Sequence, residues 1–137
     1  MSRVTLKEKI SRKISRCWKR NVFTRKDFAE LGGYDQVGRS LLQLERDGIL
    51  IGMGYGLYAK ARINSLTGKK MIACDEGFIG AAREALDLLG INWEVSEAER
   101  RYNNNLTTQI PINLGVTIKG RFNRKIRTEG GFQLRIS

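Results

Sequence analysis

The stretch from Asp35 to Ala59 constrains the fold of this chain more than any other. Val37, Leu41 and Leu44 recur at spacings of four and three, which lines one side of an α-helix, and Gly48 stands where a left-handed residue would stop it. Asp35 is placed to cap the start. Directly afterwards "ILIGMG" and "GLYAKA" read as two short strands, and glycines 52, 54 and 56 supply the positive φ angles that a turn near Met53 to Gly56 requires. A helix therefore runs straight into a hairpin.

Upstream, Leu6, Ile10, Ile14 and Cys17 with Trp18 fall at spacings of four, four and three to four, so the first segment is predicted to be an amphipathic helix. Lysines and arginines fill much of its remaining circumference. Thr24 three residues before Asp27 is a capping pattern for a short helix with Phe28 and Leu31 inside, closed by Gly32 and Gly33 through their left-handed freedom. The order helix, short helix, turn, helix, hairpin is that of a winged helix-turn-helix.

Beyond the hairpin, Phe78, Ile79, Ala82, Ala85, Leu86 and Leu89 predict a core-covering helix from Asp75 to Gly90, and a further helical turn is expected over Ser96 to Tyr102. "LTTQIPI", "GVTIKG", "RKIRT" and "FQLRIS" have the β-branched residues and punctuation of short strands. The expected class is α+β: a winged helix-turn-helix over residues 1–72 and a small C-terminal α/β domain over 73–137, ending in short antiparallel strands.

Charge narrows the partners. The net charge is +11 over 137 residues, and it is unevenly placed. Residues 1–30 carry ten Lys/Arg against three acids and residues 113–137 six against one, whereas residues 31–112 carry nine against ten. Basic ends suit a polyanion, because each neutralised phosphate releases condensed counterions. The plainer reading is a solvated, soluble surface. No run approaches a membrane span, and the N-terminus lacks the apolar core of a secretory signal. Cys17 and Cys74 fit no metal or redox spacing, so reduced thiols and a cytoplasmic location are expected.

Enzymatic readings fail on spacing. A dinucleotide fingerprint needs a third glycine where Leu57 stands, and a helix where this sequence has a strand. "TGKK", Thr67 to Lys70, lacks the first glycine of a phosphate loop, since Ile63 occupies that position, and Lys70 replaces the magnesium-binding hydroxyl. The chain has no histidine, which removes the commonest general base and zinc ligand. Asp75 with Glu76, or Glu94, Glu97 and Glu99, read as solvated acids on helix surfaces. No enzymatic activity, metal or cofactor is expected.

A helix that reads DNA must bury one stripe and present polar side chains to base edges, and Gln36, Arg39, Ser40 and Gln43 supply that set. Lys7, Arg12, Arg25, Lys26 and Lys60 are expected on phosphates, with Tyr55 at the hairpin tip and Tyr58 packed against the helices. Neutralising about six phosphates would give a log affinity against log salt slope of roughly −5. Lys119, Arg121, Arg124, Lys125 and Arg127 would extend this surface, or meet an acidic protein partner. The competing classes are an RNA-binding module and a protein-interaction module that leaves DNA unbound.

"GGYDQVGRSLLQLERDGILIGMGYGLYAK" resembles the winged-helix segment of AbiEi-like antitoxins from bacterial type IV toxin-antitoxin systems. The resemblance rests on S-L-L-x-L-x-x-D-G-x-L, Ser40 to Leu50, leading into G-x-G-L-Y-A, Gly54 to Ala59. It extends more diffusely through "ARINSLTGKKMIA" and "ALDLLGINWEVSEAERRYNNNLTTQIPIN". The resemblance implies a bacterial or mobile-element protein whose first domain binds its own promoter as double-stranded DNA and represses its operon. It further implies a neighbouring nucleotidyltransferase-like toxin, countered directly or indirectly, and a homodimer on DNA is open.

Overall fold

The computed structural model describes residues 4–54, 56–106, 115–122, 125–128 and 132–136. The fold is mixed α+β, with four α-helices and two small sheets among the described residues. Helix α1 (Leu6–Arg16) starts at Thr5, whose hydroxyl accepts the Glu8 N–H at 3.2 Å, and it buries Ile10 and Ile14. Contrary to the expected stripe, the helix stops before Trp18, which lies 81% exposed. Strand β1 (Val22–Thr24), which periodicity did not reveal, leads into a 3-10 turn over Arg25–Phe28. Helix α2 (Tyr34–Arg46) begins at Gly33, so Asp35 sits inside the first turn rather than at the cap, where its charge still opposes the positive end of the helix dipole.

Two glycines differ in role from their sequence reading. Gly33 has φ −67° and Gly32 is not among the left-handed residues. A Cβ on Gly32 would lie 2.9 Å from a Leu6 methyl, so its smallness serves the approach of α1 rather than a turn. Gly48 and Gly90 do adopt positive φ, +83° and +71°, beyond the ends of helices.

Strands β2 (Leu50–Gly52), β3 (Leu57–Ile63) and β4 (Lys70–Ile72) complete the first sheet with β1. The Lys60 N–H donates to Asn21 O and its carbonyl accepts from Ala73 N–H, so β1 and β4 share one edge of β3. Strand β2 takes the other edge, with Ala61 N–H donating to Ile49 O.

Side-chain alternation along these strands divides the core in two. Phe23, Leu50 and Tyr58 join Ile10, Ile14, Phe28, Val37, Leu41 and Leu44 on one face. Val22, Leu57 and Ala59 join Met53, Ile72 and the buried Ala81, Ala82, Ala85 and Leu86 of helix α3 (Gly77–Leu88) on the other, together with Val116, Ile126 and Leu134. The sheet is thus a middle layer. A boundary at residues 72 and 73 cuts through the second apolar cluster, which both halves build.

The C-terminal half holds strand β5 (Trp93–Val95), helix α4 (Glu97–Asn103) capped by Ser96, and strands β6 (Gly115–Ile118) and β7 (Arg135–Ile136). Strands β5 and β6 pair antiparallel, but β6 and β7 run parallel, which corrects the expectation of antiparallel terminal strands. Parallel pairing suits two strands joined by a crossover rather than by a tight turn. "RKIRT" contributes an isolated bridge, Arg127 to Gln133, while most of "LTTQIPI" lies outside the described residues.

Candidate nucleic-acid interface

The approach to α2 is set by one small network. Asp27 accepts the Thr24 N–H at 2.7 Å and both Arg20 guanidinium nitrogens, at 2.8 and 2.9 Å, while Arg20 also donates to Val22 O. Burial disfavours the Asp27 charge, but the hydrogen bonds from Arg20 and Thr24 outweigh it and hold the carboxyl below its ordinary value. The hydrogen bond to Asp27 in turn raises the Arg20 pKa. The 3-10 turn is thereby fixed, and Phe28 enters the first cluster.

With Val37, Leu41 and Leu44 buried, α2 turns Gln36, Arg39, Gln43 and Arg46 outward, all exposed. Arg39 has no ion-pair partner among the described residues. Leu42, which the helical wheel left between faces, is exposed too. Ser40 differs from its expected role: it is 8% exposed and belongs to the inner side of the helix, one position from Leu41. Its hydroxyl is therefore withdrawn from any outward reading surface.

Arg25 folds back along α2, its guanidinium 4.5 Å from the centre of the Tyr34 ring. A Cβ on Gly38 would fall 2.5 Å from the Arg25 Cζ, so that glycine leaves the room the guanidinium occupies. Lys26 and Arg12 are exposed, with no ion pair among the described residues.

Two expected phosphate ligands are engaged elsewhere. Lys7 pairs with Asp47, just past the end of α2. Lys60 donates to the carbonyl of Cys17 and lies 6.0 Å over the Phe23 ring. A cation suits the carbonyl-rich end of α1, whose dipole is negative there, and this explains why a strand lysine turns away from solvent. Tyr58 is buried in the first cluster as expected. Tyr55 and Arg124 lie outside the described residues.

Between α2 and the β2–β3 hairpin runs a groove of about 740 Å³. Arg25, Leu42 and Glu45 line it from the helical side, and Gly52, Gly54 and Gly56 from the hairpin. Glu45 accepts the Gly52 N–H at 3.3 Å, and a Cβ on Gly52 would come 2.9 Å from that carboxylate. The C-terminal segment reaches this groove as well, through Arg127, Thr128, Phe132 and Gln133. Nothing in the local sequence announces that meeting, because the residues are separated by more than 70 positions.

The other basic residues scatter. Lys119 approaches Glu94 at 3.4 Å, and Arg100 and Lys119 together keep the Glu94 carboxyl low. Arg121 and Lys125 are exposed without ion pairs among the described residues. Among the predicted cations, Arg12, Lys26, Arg39, Arg121, Lys125 and Arg127 are exposed without ion pairs among the described residues, whereas Lys7 and Lys60 fasten α1 and Lys119 pairs with Glu94.

No family model, curated protein or solved structure matches this chain. Among the described residues, no helix is long and apolar enough to cross a membrane.

Proposed function

We propose that this protein binds double-stranded DNA sequence-specifically as a winged helix-turn-helix repressor, with α2 as the helix that enters the major groove. The observation that carries the reading is the outward row of Gln36, Arg39 and Gln43, exposed on a helix whose opposite side is fully packed. Arginine offers two parallel donors to a guanine edge and glutamine a donor and acceptor to adenine. Arg12, Arg25 and Lys26 hold phosphates, each steepening the salt slope by roughly 0.9. The resemblance to AbiEi-like antitoxins supports an autoregulated operon with a nucleotidyltransferase-like toxin beside it, and a homodimer would read an inverted repeat.

The test is selection from a randomised duplex pool followed by binding measurements on the selected site. Arg39→Ala should lose about 1 to 3 kcal/mol on that site and relax the preference at a single base position. Binding that is indifferent to both salt and Arg39 would remove α2 as a DNA reader.

A further inference from the structure

From Leu50 to Lys60 the hairpin that would serve as the wing carries no free cation among its described residues, and the exposed Arg62 of β3 lies beyond the residues that pair with β2, away from the turn. Met53 and Leu57 are buried, Gly54 and Gly56 have no side chain, and Lys60 is turned to the Cys17 carbonyl. A wing without a cation has little hold on a phosphate backbone. What occupies the hairpin's flank instead is the C-terminal segment. A Cβ on Gly54, at φ +113°, would lie 2.6 Å from the Lys125 carbonyl oxygen, so the two backbones are in direct contact.

That contact is anchored rather than casual. Ile126 is 1% exposed and packs in the same cluster as Met53 and Leu57, the residues on either side of the glycine turn. Leu134 N–H donates to Ile126 O at 2.9 Å, and Arg127 bridges to Gln133, which ties the segment to the returning chain. On both sides of the buried isoleucine stand exposed cations, Lys125 and Arg127, with no ion pair among the described residues. Arg127 lines the groove that Arg25 lines from the helical side. Glu45, the acid of that groove, is held by the Gly52 N–H.

We infer that Lys125 and Arg127 form a DNA-backbone site in which the C-terminal segment supplies the phosphate contacts that the glycine hairpin lacks. This rests on the DNA-binding reading above and extends it across the chain: residues 125–128 become part of the interface rather than an appendage. The glycines at 52 and 54 then have a shared purpose. They allow Glu45 and the Lys125 backbone to press close, so that two cations are carried by a backbone anchored at the buried Ile126.

The experiment is the double substitution Lys125→Ala, Arg127→Ala in the full chain, assayed on a labelled duplex of mixed sequence, where backbone contacts act without an operator. Both side chains are exposed, so an unchanged thermal midpoint verifies the fold. The log affinity against log salt slope should become shallower by roughly 1.8, the equivalent of two phosphates, while the base preference seen in pool selection stays as in the parent. An unchanged slope in a variant that folds, with Arg39→Ala still relaxing base preference, would overturn this site and leave the α2 reading standing. Absence of salt-dependent duplex binding by the parent protein would overturn both.

Discussion

The two apolar clusters on either side of the first sheet are built differently. The cluster under α1 and α2 draws its residues from positions 10 to 58, and five of the nine buried ones recur at helical spacing within α1 or α2. The cluster under α3 runs from Val22 to Leu134, with contributions from β1, the hairpin, β4, α3, β6 and two stretches near the C-terminus. Local elements close the first, whereas the second exists only once distant parts of the chain have met. Loop closure must precede those contacts, so the second cluster is the slower to assemble and the easier to open in part.

Truncating the larger anchors should expose this difference most strongly. Phe28→Ala should cost about 4 kcal/mol and lower the whole unfolding transition, because the ring is fully buried where the 3-10 turn joins α2. Circular dichroism and tryptophan fluorescence in urea should move together. Ile126→Ala should cost about 3 kcal/mol, and here the two probes should separate. Trp93, stacked on Arg83 and donating to Asp87, lies in the second region, so its fluorescence should change before the helical signal of α1 and α2. Coincident transitions in the Ile126 variant would show that the clusters form one cooperative unit.

A smaller effect probes the network that delivers the chain to α2. Asp27 has its carboxyl pKa lowered in the folded state, so its charge contributes stability at neutral pH that is lost as pH falls through the lowered value. Asp27→Asn should remove about 1 to 2 kcal/mol at neutral pH, allowing for partial solvent screening, and should flatten the acid limb of the stability profile. A parallel acid limb in the variant and the parent would assign the pH dependence to other carboxylates.

The smallest expected change is at Gly38. Alanine there gains about 1 kcal/mol of helix propensity but displaces Arg25 from Tyr34, a loss of about 0.5 to 1 kcal/mol, so thermal stability should move by less than about 0.5 kcal/mol. The binding assay sharpens the result, since a displaced Arg25 should reduce the salt slope by roughly 0.9.

The same contrast explains what was legible in the sequence. Helices α1, α2, α3 and α4 each carry their own periodicity or cap, and the hairpin carries its glycines, so each was readable in place. Strands β1, β4 and β5 have three residues each, too few to show alternation, and pairing across the sheet defines them. At the candidate site, the outward exposure of Gln36, Arg39 and Gln43 was legible because helical geometry alone turns them away from the buried stripe. The engagement of Lys60 was not legible because its partner, the Cys17 carbonyl, is 43 residues away and is a backbone atom, which no residue pattern records. Gly54 was read as a turn residue, correctly for its φ, while the Lys125 backbone against it was invisible for the same reason of distance.

Strand β3 has a further consequence for how this chain can fail. Leu57 and Ala59 face one cluster and Tyr58 the other, and two of them are opposed on the neighbouring β1 by a residue with the same allegiance, Val22 to Ala59 and Phe23 to Tyr58. A slip of one residue would drive the Tyr58 phenol toward the alanines of α3 and leave a methyl group where a ring belongs under α2. Misregistered pairing is therefore penalised from above and below at once. A single inserted or deleted residue between Leu57 and Ala59 should be far more damaging than the same change in the Asn64–Lys69 connection, where the chain faces water and much of it is exposed.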